Sequence, residues 1–502
     1  MGVEKSIGVI AMLSNDPQAL KEPTPGGFTL WATSDAHIVR EALAESVDPA
    51  AVPRESMRIA VEQADSHAGF NYDIGVHLGD LLDYDYETIA GFKKYVAQLN
   101  YSSKDKHCWY HVGGNNDENS VLNDGMSIDN EYYRKYIDPA GEFTDISGID
   151  NAKRPYPVTG TYERYYFDVG NIRFLFLSDR NDLPAPYGRG AGGFFVDGAI
   201  TLDTYKWLVE QIIKNPDRII AVHCHHPLKD TTIGTGIDES WLGQYMTGYN
   251  PNNKNNPERR LQSTLHQVYN VDDFNSPKFK NLLSQNTGIV DMWVSGHVHH
   301  LVEEIFNGKG KYAHAYGGHH FNVGTICRYR HFANTISAQS TLFTFTAGSN
   351  QLDSKVYVHD HPSIRQGFYE PEHRILTLKK AFCKKYSPRS INIPSKNITE
   401  FLIDNSNVNE LALSWRNTNT GVLIVKKAGG QPAFSPQDNQ TYYVGQSVGD
   451  GEIAFIGINT SFRDTSLISG SDYYYKAFAY NAGDDQIKYF SQRPVMLKTS
   501  VL

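Results

Sequence analysis

Side chains that are able to bind metal ions follow five apolar segments of this chain. In chain order they belong to the motifs Asp35-Ala36-His37, Gly79-Asp80, Gly114-Asn115-Asn116-Asp117, His225-His226-Pro227 and Gly296-His297-Val298-His299. Carboxylate, amide and imidazole groups of this kind bind Mn, Fe, Zn, Co or Ni, and the sequence offers no CxxC pair for thiolate-bound zinc. Any one of these motifs alone is more often an ordinary turn. The ordered set of five predicts a single metal site.

The five motifs end segments that have the composition of buried strands. Apolar runs cover residues 28–35, 72–80, 107–114, 172–179, 218–225 and 290–297, and amphipathic segments lie between several of them. This alternation predicts an α/β domain, in which the carboxyl ends of the strands meet at one edge of a sheet. The motifs would therefore lie close together. The glycines before Asp80, Asn115 and His297 would let the backbone turn sharply beside an ion.

The two-residue period of a strand gives these motifs an expected geometry. Residues i and i+2 point to the same side, so Asp35 and His37 can send both side chains to one ion, and the H-x-H motif can do the same. By this rule we expect His223 on the side of His225, and Cys224 in the packing on the opposite side.

The pattern changes after about residue 390. Short β-type runs, such as "ELALSW", "GVLIVKK", "TYYVG" and "DYYYKAFAYN", follow one another with Gly, Asn, Asp and Ser between them, which is typical of a β-sandwich. Leu467, Tyr473 and Ala479 are six residues apart, and Trp415 lies in an early run. This spacing resembles a fibronectin type III module. The resemblance implies a C-terminal all-β immunoglobulin-like sandwich over residues 390–502.

The five motifs together resemble the calcineurin-like metallophosphoesterase superfamily over about residues 28–380. The resemblance implies an α/β fold, a four-layer α/β/β/α sandwich, with two divalent or transition metal ions at the strand ends. A hydroxide that bridges the two ions would attack a phosphate ester. The implied ligands are Asp35, His37, Asp80 and His299 for one ion, and Asp80, Asn115, His225 and His297 for the other.

One position departs from the family pattern. The residue after the ligand asparagine is usually a histidine that protonates the leaving group, and here it is Asn116, whose amide is unable to deliver a proton. Activity need not be lost if the leaving group is good or if another group substitutes. His226 is the first candidate because it adjoins a ligand, and His37, His319 and His320 are further candidates, with ordinary loop packing or support of a ligand as the alternative for each. For Asp117, orienting a ligand histidine is the more plausible role. Arg180 and Arg189 would bind phosphate, with ordinary solvated loop arginines as the alternative.

Bulk composition limits the partners. The chain has 502 residues and a net charge of −9, so we expect no broad nucleic-acid binding, and no apolar stretch approaches the ~20 residues of a membrane span. We expect an N-terminal arm or strand over 1–27 and a phosphoesterase domain over 28–385. Insertions at about 118–165 and 230–285 would be functional loops or subdomains. The C-terminal domain would serve as a spacer, docking or surface-attachment module with possible glycan contact, which favours an extracytoplasmic, secreted or particle-surface setting.

The predicted function is metal-dependent hydrolysis of a small phosphate ester. We expect a phosphodiesterase, because loss of the proton donor matters least for leaving groups of low pKa. Two alternatives stay open: a phosphomonoesterase or nucleotidase, and a non-catalytic binding or structural surface protein that retains the metal site.

Overall fold

The computed structural model describes residues 26–38, 55–82, 89–114, 116–117, 131–178, 202–228, 230–235, 282–327, 337–407, 410–417 and 419–501. Its helices are α1 (Ser56–Ser66), α2 (Ile89–Leu99), α3 (Glu131–Tyr136), α4 (Thr144–Ser147) and α5 (Leu202–Lys214). The first fourteen strands are β1 (Gly27–Thr33), β2 (Ile74–His77), β3 (Trp109–His111), β4 (Thr159–Thr161), β5 (Arg164–Val169), β6 (Ile172–Leu177), β7 (Ile219–Cys224), β8 (Val290–Ser295), β9 (Tyr312–Ala315), β10 (Gly318–Asn322), β11 (Ala338–Thr346), β12 (Gln351–Asp360), β13 (Gly367–Phe368) and β14 (Arg374–Thr377).

These strands form two sheets. The first has the order β13-β12-β11-β1-β2-β3, with β14 paired to β12, and the second has the order β4-β5-β6-β7-β8-β10-β9. In the first sheet, β1, β2 and β3 are parallel to one another. In the second sheet, β6, β7, β8 and β10 are parallel to one another. The six predicted apolar runs are therefore confirmed as strands β1, β2, β3, β6, β7 and β8.

Apolar side chains cover the sheets on both faces. Phe28, Ile74, Phe174 and Met292 belong to a buried cluster contributed by strands of both sheets. The helices α1 and α2 pack against the first sheet around Trp31, and α5 packs against the second. Strands covered on both faces have no polar side to alternate with, which is why β6 and β7 are buried throughout. The expected four-layer α/β/β/α sandwich is confirmed.

The expected domain boundaries and insertions stay predictions. Residues 1–25, 118–130 and 236–281 lie outside the described residues. The described part of the first expected insertion contains the two short helices α3 and α4, and it leads into β4. Among the helices that the structure describes, none has the length and hydropathy needed to cross a bilayer.

The C-terminal region is all β. Its strands are β15 (Thr399–Asp404), β16 (Leu411–Arg416), β17 (Gly421–Ala428), β18 (Ser447–Val448), β19 (Gly451–Gly457), β20 (Ser461–Asp464), β21 (Asp472–Gly483), β22 (Gln486–Tyr489) and β23 (Val495–Ser500). They form a three-stranded sheet, β15-β16-β20, and a six-stranded sheet, β18-β19-β17-β21-β22 with β23 paired to β21.

The core between these two sheets contains the residues that the sequence singled out. Trp415, Tyr473 and Ala479 are buried there, and Leu467 packs against them. The hydroxyl of Tyr473 accepts a hydrogen bond of 3.0 Å from the backbone N–H of Ile468, the connection that immunoglobulin-like sandwiches make at their tyrosine corner. The expected immunoglobulin-like sandwich is confirmed.

One predicted strand of this region is wrong. The run "TYYVG", residues 441–445, is irregular, and Tyr442 is buried in a cluster that also contains Tyr205 of α5. Tyr205 and Tyr443 contact edge to face, with ring centroids 6.0 Å apart. The apolar character of this run reflects packing against a helix rather than pairing in a sheet.

The sandwich packs closely on the second sheet and its helix α5. Along β17, Val422 and Ile424 belong to the sandwich core, whereas Leu423 and Val425 belong to the cluster that surrounds α5. The strand is consequently buried on both faces, whereas exposed side chains alternate with buried ones along β16. The continuous apolar run "VLIV" thus indicates a strand whose second face is also covered.

Charged groups also stabilise the contact between the sandwich and the second sheet, which we call the joint. The buried guanidinium of Arg173 donates to Asp168 on the adjoining strand and to Asp485 of the sandwich. Arg218 forms ion pairs with Asp168 at 3.2 Å and with Asp484 at 3.3 Å. The two arginines therefore bind the turn between β21 and β22, which fixes how the sandwich sits on the second sheet.

Candidate metal centre

The candidate ligands lie just beyond the ends of strands, on strained backbone. Asp35, His37, Asp80 and His297 have φ angles of 56°, 44°, 53° and 67°, which is the left-handed region. Each such conformation costs about 1–3 kcal/mol and persists only where surrounding contacts determine it. The i, i+2 rule of a strand does not apply here, because β1 ends at Thr33 and β8 ends at Ser295. The conformations of the loops decide where these side chains point.

Backbone hydrogen bonds join the loops to one another. The N–H of Asp35 donates to the carbonyl of Gly79 at 2.9 Å, and the N–H of His37 donates to that of Asp80 at 3.1 Å. The N–H of His297 donates to Asp35 Oδ2 at 2.8 Å. The motifs that the sequence places far apart are thus connected directly.

Two glycines allow the loops to approach this closely. A Cβ atom on Gly114 would lie 2.4 Å from the backbone nitrogen of Asp80, and one on Gly296 would lie 1.9 Å from Ser34 Oγ. Both distances are far inside van der Waals contact. The glycines at these two positions serve close packing, and any side chain would push the metal-binding loops apart.

Three candidate ligands form the first group. The Oδ1 atom of Asp35 lies 2.7 Å from His299 Nε2 and 3.5 Å from His37 Nε2, and the two imidazole nitrogens are 3.3 Å apart. These are three of the four ligands that the family resemblance implies for one ion.

The second group contains His225, His226 and His297. His225 Nε2 lies 3.0 Å from His297 Nδ1, and the ring of His226 contacts that of His297 in a tilted arrangement, with centroids 3.8 Å apart. The Nδ1–H of His225 donates to the carbonyl of Leu78 at 2.7 Å, which leaves Nε2 free of its proton and directed at the group. No sequence signal points to this Leu78 contact, because a backbone carbonyl is common to all residues.

Asp80 lies between the two groups. Its Oδ2 atom is 3.3 Å from His225 Nε2 and 3.8 Å from His37 Nε2. This is the position that a carboxylate shared by two ions would need. Asn115, the remaining implied ligand, lies outside the described residues.

The donor set fits a pair of metal ions. Ligand atoms held at about 2.0–2.2 Å from a common ion would be ~3.0–3.4 Å from one another, and the distances in both groups fall around this value. In addition, Asn116 Oδ1 is buried with no hydrogen-bond partner among the described residues, although buried polar atoms are normally satisfied. A bound cation would account for both observations.

The electrostatics suit cations as well. Burial alone would raise the pKa of Asp35, but the neighbouring histidines, His299 above all, hold that pKa well below its ordinary value. Burial likewise opposes ionisation of Asp80, and His225 outweighs it, so the pKa of Asp80 is also lowered. Burial and the adjacent His226 lower the pKa of His297. Ionised carboxylates and neutral imidazoles are the protonation states that bind metal.

Asn116 and Asp117 contact the Asp80 loop. The backbone N–H of Asn116 donates to Asp80 Oδ1 at 2.7 Å, and its side-chain amide donates to Asp80 Oδ2. The carboxylate of Asp117 accepts from the backbone N–H groups of Leu81 at 2.8 Å and Gly114 at 2.9 Å. Burial and the nearby Asp80 raise the pKa of Asp117 to about 8. The expected role of Asp117 is to orient a ligand histidine. In the contacts that the structure describes, it instead binds backbone N–H groups.

The other sequence candidates lie elsewhere. The ring of His223 stacks on Phe176 in the core between the sheets, with centroids 4.9 Å apart, so it does not accompany His225, which lies beyond the end of β7. His319 contacts the carbonyl of Thr377, and His320 contacts that of Ala315, each at 3.0 Å. Neither belongs to the metal-binding groups found among the described residues. Cys224 packs into the core as expected. Arg180 and Arg189 lie outside the described residues.

Solved structures resemble parts of this chain at low sequence identity. The chain is similar to the crystal structure of a dimetal phosphatase from Danio rerio, with 12% identity over 70% of this chain and 99% of that chain, at a TM-score of 0.38. It is also similar to a fibronectin type III domain of human collagen XX, with 13% identity over 22% of this chain and all of that one, at a TM-score of 0.14. No curated protein matches the sequence significantly.

The family itself is identified from the sequence. Residues 28–301, more than half of the chain, match the model of the calcineurin-like phosphoesterases. These enzymes use a dinuclear metal centre, and the described Asp and His groups are positioned to bind metal, so the expected cofactor is confirmed. The protein therefore belongs to the calcineurin-like phosphoesterase family, whose reaction is metal-dependent hydrolysis of phosphate esters.

Proposed function

We propose that this member of the family hydrolyses phosphodiesters. The supporting observation is Asn116, which stands where the family pattern has a proton-donating histidine, and whose amide is bonded to Asp80. Diesters with leaving groups of low pKa need the least protonation, whereas general acid catalysis is worth typically 10²–10⁴-fold for poorer leaving groups. A site that lacks this donor favours the former substrates.

The residues have distinct tasks in this proposal. Two bound ions would lower the pKa of a water molecule and clamp the phosphate oxygens. Asp80 would hold both ions, and Asn116 would keep the Asp80 carboxylate in one orientation through its two hydrogen bonds. His226, whose ring contacts that of His297, is our candidate for exchanging a proton with the leaving group of any substrate that needs one.

The proposal is tested with bis-p-nitrophenyl phosphate and p-nitrophenyl phosphate. With Mn²⁺ present, we expect turnover of the diester to exceed that of the monoester, and EDTA should remove both activities. Faster monoester hydrolysis would favour the phosphomonoesterase alternative instead. Absence of any metal-dependent turnover would leave the non-catalytic binding protein as the better account.

Introducing the family's histidine at position 116 tests whether a missing proton donor limits the reaction. In Asn116→His, we expect hydrolysis of an alkyl p-nitrophenyl diester to change little, and that of a dialkyl diester to rise by up to about 10²-fold, the lower limit for general acid catalysis. The measurement is the dependence of kcat/KM on leaving-group pKa, which should become shallower in the variant. An unchanged slope would mean that another residue, with His226 as the candidate, already protonates the leaving group, and His226→Gln should then steepen it.

We further propose that the protein contacts glycans at the joint between its two regions. A cleft of about 540 Å³ lies between α5 and the segment 439–446. Trp207 and Tyr443 line it together with the amides of Asn439 and Gln446. Aromatic faces beside amide groups suit the apolar faces and hydroxyls of a sugar ring, and pockets of this volume commonly lie at domain interfaces.

A glycan array probed with the full-length protein tests this contact. We expect selective binding that Trp207→Ala abolishes, because the ring loses its stacking surface. The matched control is Tyr101→Ala, which removes an exposed aromatic side chain outside the cleft. Binding that survives in Trp207→Ala, or that falls equally in Tyr101→Ala, would contradict the assignment.

A further inference from the structure

A group of buried polar side chains lies against the metal-binding loops and follows residue 301, where the family match ends. Its members are Asn322, at the end of β10, Thr325, which forms an isolated β-bridge with Ala338, and Gln339, in β11. All three are fully buried, with 0% of their surface exposed. We call these three residues the bracket.

Each bracket residue donates a side-chain hydrogen bond to a carbonyl of a ligand-bearing loop. Thr325 Oγ1 donates to the carbonyl of Asp35 at 2.8 Å, and Asn322 Nδ2 donates to that of Gly296 at 2.8 Å. Gln339 Nε2 donates to the carbonyl of His300 at 3.0 Å. These three carbonyls belong to, or directly adjoin, the candidate ligands Asp35, His297 and His299.

The bracket is itself held in place. The Oδ1 atom of Asn322 accepts from the N–H of Gly324 at 2.8 Å, and the carbonyl of Thr325 accepts from the N–H of Gln339 at 2.8 Å. The buried ammonium of Lys311 donates to Gln339 Oε1 at 2.7 Å, so the amide of Gln339 is fixed with its Nε2 toward His300. Thr325 Oγ1 also accepts from the N–H of Cys327 at 3.0 Å, so each bracket side chain has a second defined partner.

The strain in the loops gives the bracket a function. Asp35 and His297 have left-handed backbone, with φ angles of 56° and 67°, and such conformations relax unless neighbouring contacts hold them. The carbonyl of Asp35 and the carbonyl that precedes His297 are the ones that Thr325 and Asn322 bind. These two hydrogen bonds therefore hold the backbone at Asp35 and at His297, where the backbone conformation sets the direction of the ligand side chain.

We infer that Asn322, Thr325 and Gln339 are positioning residues, which set the affinity of the centre for its metals by fixing the carbonyls of Asp35, Gly296 and His300. This inference rests on the metal centre of the family and not on the proposal that the substrate is a diester. Groups one step removed from a metal ligand typically contribute 10–100-fold to metal affinity or activity.

The test is calorimetric titration of the EDTA-treated full-length protein with Mn²⁺, and with Zn²⁺ as a second probe. We expect Thr325→Val, which keeps the shape but removes the hydroxyl, to weaken binding by at least about 10-fold. Thr325→Ser keeps the donor and should restore affinity close to that of the wild type. Thr341→Val is the matched control, because Thr341 Oγ1 is buried but has no hydrogen-bond partner among the described residues.

A second pair of variants separates positioning from folding. Asn322→Asp replaces the donor to Gly296 with an acceptor, and Asn397→Asp makes the same change in the C-terminal sandwich, where Asn397 Nδ2 donates to Ala477 at 3.0 Å. We expect both to lower the unfolding temperature of the metal-free protein, but only Asn322→Asp to weaken Mn²⁺ binding. This pair also replaces Thr325→Val if that variant does not fold. Equal metal affinity in Asn322→Asp, Asn397→Asp and the wild type would overturn the inference, as would Thr325→Ser binding no better than Thr325→Val.

These experiments measure metal affinity and not activity. The proposed diester substrate and the proposed role of the bracket can therefore fail independently. A wild-type protein that binds Mn²⁺ but does not hydrolyse diesters would refute the proposed substrate and leave the bracket intact. A wild-type protein that binds neither ion would refute the bracket.

Discussion

Replacing Asp80 by alanine is expected to abolish metal-dependent hydrolysis and to remove bound metal from the purified protein. Asp80 Oδ2 faces His37 of one ligand group and His225 of the other, so its loss affects both ions. Removing a group that only supports a ligand costs about 10–100-fold in metal affinity, and loss of a shared ligand should exceed this range. The measurements are metal content by mass spectrometry and hydrolysis of bis-p-nitrophenyl phosphate.

The matched control for this change is Asp291→Ala. Asp291 is also a buried carboxylate that accepts a backbone hydrogen bond, from Ile220 at 3.0 Å, but it belongs to neither of the described ligand groups. We expect it to lower stability while the remaining folded protein keeps its metal. If Asp80→Ala retained wild-type metal content and turnover, the two-ion account of this site would be wrong.

Deleting the C-terminal sandwich is expected to prevent the phosphoesterase sheets from folding into a soluble, cooperative structure. The deletion would expose the apolar cluster around α5, where Leu208 and Ile212 pack with Leu423 and Phe478. Each such side chain contributes about 1.5–3 kcal/mol when buried, and the whole stability of a domain is about 5–15 kcal/mol. Losing several of these contacts together would use up that margin. A chain that ends at residue 389 should therefore aggregate or unfold without a sharp transition.

Two adjacent residues of β17 provide a finer version of this experiment. Leu423 faces the joint, and Ile424 faces the interior of the sandwich. Both alanine variants should lose about 2–5 kcal/mol, the usual cost of such a truncation, in thermal or urea unfolding of the full chain. Leu423→Ala should in addition make the joint accessible to limited proteolysis, whereas Ile424→Ala should not. Cooperative unfolding of the truncated chain at the temperature of the intact protein would show that the sandwich is an independent module.

The fold was largely predictable because its signals are local. The six apolar runs of the phosphoesterase region have the length and composition of buried strands, and each forms one. The alternating pattern of β16 and the continuous apolar run of β17 also differ in the way expected for a strand with one covered face and a strand with two. The run "TYYVG" misled the prediction because burial against α5 and pairing in a sheet select the same side chains.

The sequence by itself determined which residue types are available at the metal centre and at which strand ends they lie. It determined this because ligand chemistry is a property of the side chain, and because strand ends can be recognised from neighbouring residues. Through its resemblance to the family, the sequence also predicted that Asn116 stands where the usual proton donor is missing.

Only the tertiary structure decided how these groups are used. In it, the His223 ring packs in the core, the Asp117 carboxylate accepts hydrogen bonds from backbone N–H groups, and Asp80 lies between two ligand groups. The reason is that the direction of a side chain beyond a strand end depends on loop conformations that distant residues hold. Thr325 is such a residue, because it donates to the carbonyl of Asp35, 290 positions away along the chain. No local sequence pattern predicts this contact.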